Sequence, residues 1–399
     1  MKKILGLILI AVGLLAACQR DSLDIPDASG YTSIYMPQAH NNPLAQNLYV
    51  VDTPLFVHYS AYFGGPTKPS GAITIHFKVD QALVDSFNLL NGTDYPVMPA
   101  GSYDLVDSVA TIPAGTLSTA QLNLKLMTAG HIEVDKFYLL PITIASVSGD
   151  YKINPALRTQ YFLFTGGYAP GEIIDWKDYD QIVPLGKYWL ARKVETGGKK
   201  SLWAFPTDAG DNFGPGKLVG DGDRWQDYDM LFNYQNALMA RKPNGDLYRF
   251  DLGSDGTLGA GQKKSEGWNI FTQLTGYGQT ILGINTVDKG LWMYPVDEGG
   301  NIQPGRQVGQ GWDGVSTLLP QSGAVIGRIG PVLTRFPLDE NGNFDYGNIK
   351  NIGASTDWSS FNLLVWNKNA IIARKASGQL LRYPVAADGT VGTPVQIGQ

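Results

Sequence analysis

Beyond residue 175 the chain sets short apolar runs between polar turns in a pattern that recurs five times. Each unit opens on a tryptophan, Trp176, Trp225, Trp268, Trp312 and Trp358, at spacings of 49, 43, 44 and 46 residues. The stretches WKDYDQIVPLG, WQDYDMLFNYQ, WNIFTQLTGYG, WDGVSTLLPQS and WSSFNLLVWNK align from their first residue, with Tyr179, Tyr228, Phe271, Val315 or Phe361 three places after the Trp. A second run reads WLARK, LMARK, ILGIN, VIGRI and IIARK, and a third LWAFP, LYRFD, LWMYP, LTRFP and LLRYP. After another polar turn comes a fourth short run, as in KLVGDG, RQVGQG and PVQIGQ. Runs of this length, rich in β-formers and divided by Gly, Asn and Asp, read as strands joined by hairpins. Four such strands in about 45 residues predict a propeller blade. The 224 residues from Trp176 to Gln399 hold five of them. The end units show no atypical capping pattern, which favours a closed ring over a linear stack. A large side chain at one place in every blade is expected to fill the gap between neighbouring blades, so the five Trp residues are assigned to a repeat core.

Residues 31–166 carry no such repeat. Alternating or β-rich runs at 33–36, 54–62, 72–79, 102–112, 120–127, 136–147 and 160–164 predict seven short strands, and DQALVDSFNLLNG (80–92) a short helix or helical turn. Together they predict an antiparallel β-sandwich ahead of the propeller, an all-β chain of two domains, 31–166 and 171–399.

The first residues follow a different pattern. Lys2 and Lys3 precede an apolar run from Ile4 to Ala17 that is short for a membrane span and ends in small residues, as a signal peptide does. Leu15-Ala16-Ala17-Cys18 resembles the lipobox of bacterial lipoproteins, which implies cleavage before Cys18 and lipidation of its thiol. Cys18 is the sole cysteine, so a processed chain would have neither a disulfide nor a thiolate metal ligand. Residues 19–30 are polar, with Pro and Gly, and read as a flexible linker. The expected location is the outer membrane, facing the cell surface or the periplasm. A net charge of −5 gives no electrostatic reason to expect nucleic-acid binding.

Two family resemblances follow from these residues. GWNIFTQL (267–274) and GQGWDG (309–314) match the GW-(x2)-F…L…G…LY repeat of the tachylectin-type lectins, and the likeness extends over about 171–399; Asp175 and Asp357 replace the Gly before Trp176 and Trp358. That resemblance implies a five-bladed ring that binds amino-sugar-containing glycans at repeated sites. FKVDQALVDSFN (77–88), YPVMPAGSYDL (95–105), ATIPAG (110–115) and YLLPITIASVSG (138–149) resemble the sandwich domain next to the lipid anchor in surface glycan-utilisation proteins of Gram-negative gut bacteria. This implies a spacer that lifts the propeller off the membrane.

Reactive groups are sparse. All four histidines, His40, His58, His76 and His131, lie in the first half, so the propeller has no Ser–His–Asp arrangement and no His-ligated metal. His58 and His76 stand in apolar strand runs and read as satisfied sheet residues. A glycosidase would need only two carboxylates. Asp178 and Asp227, like Asp180 and Asp229, recur at matching positions, but nothing marks either pair. The alternating oxygens of Asp339–Asp345 suggest calcium, yet the other blades carry TDAGDN, GSDG, DEGG and AADG at this point, which favours a repeated turn. Arg192, Arg241, Arg328 and Arg374 share one position, with Ile284 in the third unit; a pairing with a carboxylate of the adjacent blade is favoured over a ligand contact. The hairpins NYQN, GYGQ and WNKN place Tyr234, Tyr277 and Trp366 near turn tips, where a large aromatic needs a reason. With Asp227, Asn269 and Asp313 they are expected to line sugar sites, ring faces against C–H faces and polar groups on hydroxyls. The reading is a non-catalytic glycan-binding lipoprotein without cofactor or metal, whose partners are glycan and, through the anchor, the membrane. A scaffold in a surface protein complex is the alternative, and a glycosidase a third.

Overall fold

The computed structural model describes residues 31–169, 174–219 and 224–398. The expected signal peptide, Cys18 and the expected linker at 19–30 lie outside the described residues. The chain divides into two compact units, one ending at Gly166 and the other beginning at Gly167.

The first unit is built from three sheets. A five-stranded sheet runs in the order Leu44–Tyr49, Thr159–Gly167, Phe137–Val147, Ile73–Val79, Val109–Ile112. One three-stranded sheet orders Leu55–Tyr59, Leu122–Leu126 and Tyr103–Asp104, and another Lys152–Ile153, Ser33–Tyr35 and Tyr62–Gly64. Alternation sets their inner faces: Ile73, Ile75 and Phe77 are buried while His76 between them is exposed. These join Tyr59, Leu124, Leu126, Ile142, Ile144, Phe162 and Phe164 in one core. The run at 102–112 forms two strands instead of one. Three strands have no counterpart among the expected seven: Leu44–Tyr49, Tyr62–Gly64 and Lys152–Ile153. All are sheet-edge strands, two of them only two or three residues long, too short to show a period. Ser33–Tyr35 pairs in parallel with Lys152–Ile153, so the sandwich is not wholly antiparallel. His58 and His76 are exposed on their strands and take no part in the interior. A helix, α1 (Ala82–Asn91), sets Val84 and Phe87 on Leu139 and Leu163 of the five-stranded sheet and ends where Gly92 turns left-handed at φ 65°.

The second unit is a ring of five four-stranded antiparallel sheets, a five-bladed propeller. The innermost strands are Tyr179–Leu185, Met230–Tyr234, Phe271–Tyr277, Val315–Gln321 and Phe361–Asn367, which open blades 1 to 5. Each packs beside the next, and that of blade 5 packs beside that of blade 1, which closes the ring. The opening tryptophans are all buried, none more than 5% exposed. Each meets the aromatic residue of its own blade's third strand: Trp176 on Phe205 at 5.1 Å, Trp225 on Phe250 at 5.2 Å, Trp268 on Tyr294 at 4.8 Å, Trp312 on Phe336 at 4.7 Å and Trp358 on Tyr383 at 4.9 Å between centroids. They are the repeat core.

Candidate functional site

The repeated arginine explains how the blades are joined. In blades 1, 3, 4 and 5 the first strand bulges one residue after the Trp+3 position, which frees Asp180, Thr272, Ser316 and Asn362 from the ladder. Asp229 stands at the corresponding place in blade 2. Arg192 meets Asp180 through two hydrogen bonds of 2.8 Å, and Arg241 meets Asp229 at 3.0 and 2.7 Å. Arg328 donates to Ser316 Oγ and Arg374 to Asn362 Oδ1, both at 2.9 Å. The far nitrogen of each guanidinium crosses the seam. Arg192 donates to the carbonyls of Trp225 and Tyr228, Arg241 to those of Trp268 and Phe271, Arg328 to those of Trp358 and Phe361, and Arg374 to those of Trp176 and Tyr179. The expected partner, a carboxylate of the adjacent blade, is therefore corrected. The side-chain acceptor belongs to the arginine's own blade, and the neighbour supplies the carbonyls at the two ends of the short turn that holds its Trp. Burial pushes the Asp180 carboxyl up, but Arg192 and Lys200 outweigh it and hold it below the usual carboxylate range. Asp180 and Asp229 are thus engaged as anchors for the arginines.

The structure separates the six residues expected to line sugar sites. Tyr234 and Tyr277 are 2% and 6% exposed, so they do not stand at solvent-facing tips. Both end an innermost strand, and their rings turn into the seam toward the next blade, where Tyr277 Oη donates to the Leu338 carbonyl. Burial, then Asp339 and Glu340, push the Tyr277 phenol up to about 12. Trp366 lies within its strand, paired with Ile371, and is half-buried in the wall of a cavity of about 260 Å³ lined by the innermost strands of all five blades. Gln181 closes part of that wall by donating to the Asp229 carbonyl at 2.8 Å while accepting from Leu231 N–H at 2.6 Å. Asp227, Asn269 and Asp313 are exposed. The six are not brought together.

Asp227 does border a cavity of about 440 Å³ on blade 2, with Arg224, Trp225, Tyr228, Lys242, Tyr248, Phe250 and residues 258–261. Its wall is aromatic. Tyr228 stands edge-on to Tyr248 and to Phe250, each at 5.9 Å. Lys242 Nζ lies 5.5 Å from the Tyr228 ring and 5.2 Å from the Tyr248 ring, within cation–π range. Tyr228 is half-buried, whereas its counterparts Tyr179, Phe271, Val315 and Phe361 are fully buried. Burial, then Tyr248 and Asp227, raise its phenol above the ordinary range. Half-exposed aromatic faces with a guanidinium, an ammonium and a carboxylate at the rim suit a ligand that has both C–H faces and hydroxyls.

Tyr248 was not among the expected site residues. It belongs to a third-strand position that reads Trp203, Tyr248, Trp292, Thr334 and Leu381 through the five blades, each half-buried and paired with Ala191, Ala240, Gly283, Gly327 or Ala373. The small partner presents no side chain beyond Cβ to the residue opposite it. That small-opposite-aromatic pairing is the signal by which the sequence could have found it. The turn at Asp339 is structural: its carboxylate accepts from Asn343 N–H at 2.7 Å and from the Asn343 amide at 2.9 Å, and Asp297 repeats this with Asn301.

A family model described as an N-terminal domain matches residues 30–151. No curated protein matches the chain. Among solved structures, EndoBT-3987 of Bacteroides thetaiotamicron, with a Man5GlcNAc product, is similar at 17% identity and a TM-score of 0.29; the match covers 38% of this chain and spans 34% of that one. A Bacteroides ovatus protein provisionally described as carbohydrate-binding is similar at 12% identity and a TM-score of 0.30, over 91% of this chain and 97% of that one. Prp20p of Saccharomyces cerevisiae matches at 8% identity and a TM-score of 0.31, over 55% of this chain and 63% of that one.

Proposed function

We propose that this chain is a non-catalytic glycan-binding protein, that its propeller binds saccharide in the blade 2 cavity, and that a lipid on Cys18 holds it at the outer membrane. The observation that carries the binding reading is the open aromatic wall of Tyr228 and Tyr248 with Arg224, Asp227 and Lys242 at its edge. A pyranose packs its axial C–H face on such a ring, and charged rim groups order its hydroxyls. The amino-sugar preference belongs to the tachylectin resemblance and is carried by the repeats 267–274 and 309–314. Of the repeated carboxylates, Asp180 and Asp229 are engaged by arginines. The test is a glycan array followed by calorimetry on residues 19–399. Tyr248→Ala should weaken binding by about tenfold, the loss of one stacking face. An affinity unchanged in a folded Tyr248→Ala protein refutes the blade 2 site.

A further inference from the structure

The loop between the third and fourth strands has one construction in all blades. It is closed by the bridges Thr207–Phe213, Leu252–Leu258, Val296–Ile302, Leu338–Phe344 and Val385–Val391. One residue in each loop takes positive φ: Asp211 at 60°, Gly256 at 79°, Gly300 at 73°, Gly342 at 75° and Gly389 at 92°. Glycine holds this conformation without a Cβ penalty, so Asp211 calls for a reason. Its carboxylate supplies one. Asp211 is 4% exposed, with Oδ1 3.3 Å from Lys368 Nζ and Oδ2 2.9 Å from Arg382 Nε, a charge contact across the seam that joins blade 5 to blade 1.

At the seam between blades 2 and 3, an arginine stands in the place of Arg382, Gln235 stands in the place of Lys368, Lys264 of the fourth strand lies close by, and no carboxylate occupies the position of Asp211. Arg249 in LYRFD corresponds to Arg382 in LLRYP, and Gly300 corresponds to Asp211. A Cβ on Gly300 would lie 3.5 Å from Arg249 Nη1 and 3.8 Å from Lys264 Nζ. Asp251 holds Arg249 by Nε at 2.7 Å, which leaves the outer nitrogens of the guanidinium without a hydrogen bond among the described residues. Lys264 has no hydrogen bond or ion pair among them. These groups face a cavity of about 380 Å³ whose wall includes Gln235, Gln262 and Gln279. Three carboxylates also border it. Asp251 is engaged by Arg249, Asp297 accepts from Asn301 and Gln303 within its own turn, and Glu298 is exposed. The Tyr234 hydroxyl is buried in this seam without a partner, whereas Tyr277 satisfies its own on Leu338 in the next seam.

We propose that the seam between blades 2 and 3 is a second saccharide subsite, which takes the carboxylate of a uronic acid residue between Arg249 and Lys264, in the position that Asp211 fills at the closing seam. The free edge of the guanidinium and the ammonium give the carboxylate charge-assisted donors, and the three glutamine amides are placed for ring hydroxyls. This subsite rests on the glycan-binding reading and adds an acidic sugar to it.

The test is calorimetry on residues 19–399 with oligomers of galacturonic and of glucuronic acid, each beside its carboxyl-reduced neutral counterpart. The acidic form should bind at least about tenfold more tightly, and Lys264→Gln should remove about tenfold of that preference. Gly300→Asp installs the internal carboxylate that blade 1 already carries. It should abolish the acid preference and leave Tyr248-dependent binding of neutral glycans unchanged. Equal affinity for acidic and reduced oligomers overturns the subsite, as does full acid binding by a folded Gly300→Asp protein; if that variant does not fold, Lys264→Gln decides. Neutral binding lost in Tyr248→Ala with no acid preference overturns the subsite alone. No binding of any saccharide overturns both readings.

Discussion

Arg241 is 7% exposed, and its guanidinium is satisfied by a carboxylate of its own blade and two carbonyls of the next. Removing it leaves Asp229 without its counter-charge, takes a donor from the Phe271 carbonyl, and leaves the Trp268 carbonyl with the Phe271 N–H alone. Arg241→Leu should therefore cost on the order of 3 kcal/mol in chemical denaturation. The same contact has a pH dependence at Asp180. Its folded pKa is lowered, so it contributes stability that is present above the unfolded carboxyl value of about 3.9 and is lost as pH falls through the folded value. Thermal melts below about pH 4 should thus fall more steeply for the parent than for Asp180→Asn, and identical slopes would remove Asp180 from the acid response. Tyr234 and Tyr277 show the limit of residue-level reading. A hairpin in the sequence implies a surface, but whether the ring beside it points outward or into a seam depends on the neighbouring blade.

The elements were legible where their period was strong. Twenty strand-length runs in the propeller stand between turns that Gly, Asn and Asp mark, and the strands form there. The Leu44–Tyr49 strand, at a sheet edge with its two polar residues adjacent, shows no period in the sequence. The β-bulge was invisible for another reason. It is defined by register with a partner strand, and register is a pairing property. Once the bulge is seen, two positions in the sequence become one device: Asp, Asp, Ser or Asn at the bulge or its counterpart in blade 2 wherever Arg follows 12 residues later, and Thr272 where Ile284 stands instead. Blade 3 gives the test. Ile284→Arg should destabilise the protein by about 2–3 kcal/mol, because a buried charge lacks its counter-ion. Adding Thr272→Asp should recover at least half of that loss in the same unfolding assay; no recovery would mean that the bulge position does not serve the arginine.

Ring closure is a property of the whole second unit. Every blade takes its four strands from one continuous stretch, so no strand is shared across the junction of blades 5 and 1. That junction is held by side chains: Arg374 on the Trp176 and Tyr179 carbonyls, and Asp211 between Lys368 and Arg382. Asp211→Ala keeps a strained left-handed residue and discards its ion pairs, so it should cost about 2 kcal/mol. Hydrogen exchange in Tyr179–Leu185 and Phe361–Asn367 should rise more than in Phe271–Tyr277; a uniform rise would place the effect elsewhere. The sequence alone determined the number of blades, their strand order and the core role of the five tryptophans, because these follow from local periodicity repeated often enough to be counted. Only the tertiary structure decided which aromatic faces stay open, which carboxylates are already engaged, and where two cations of one blade face Gly300 of the next. Each of those depends on groups from different strands or different blades, and a linear pattern does not carry the distances between them.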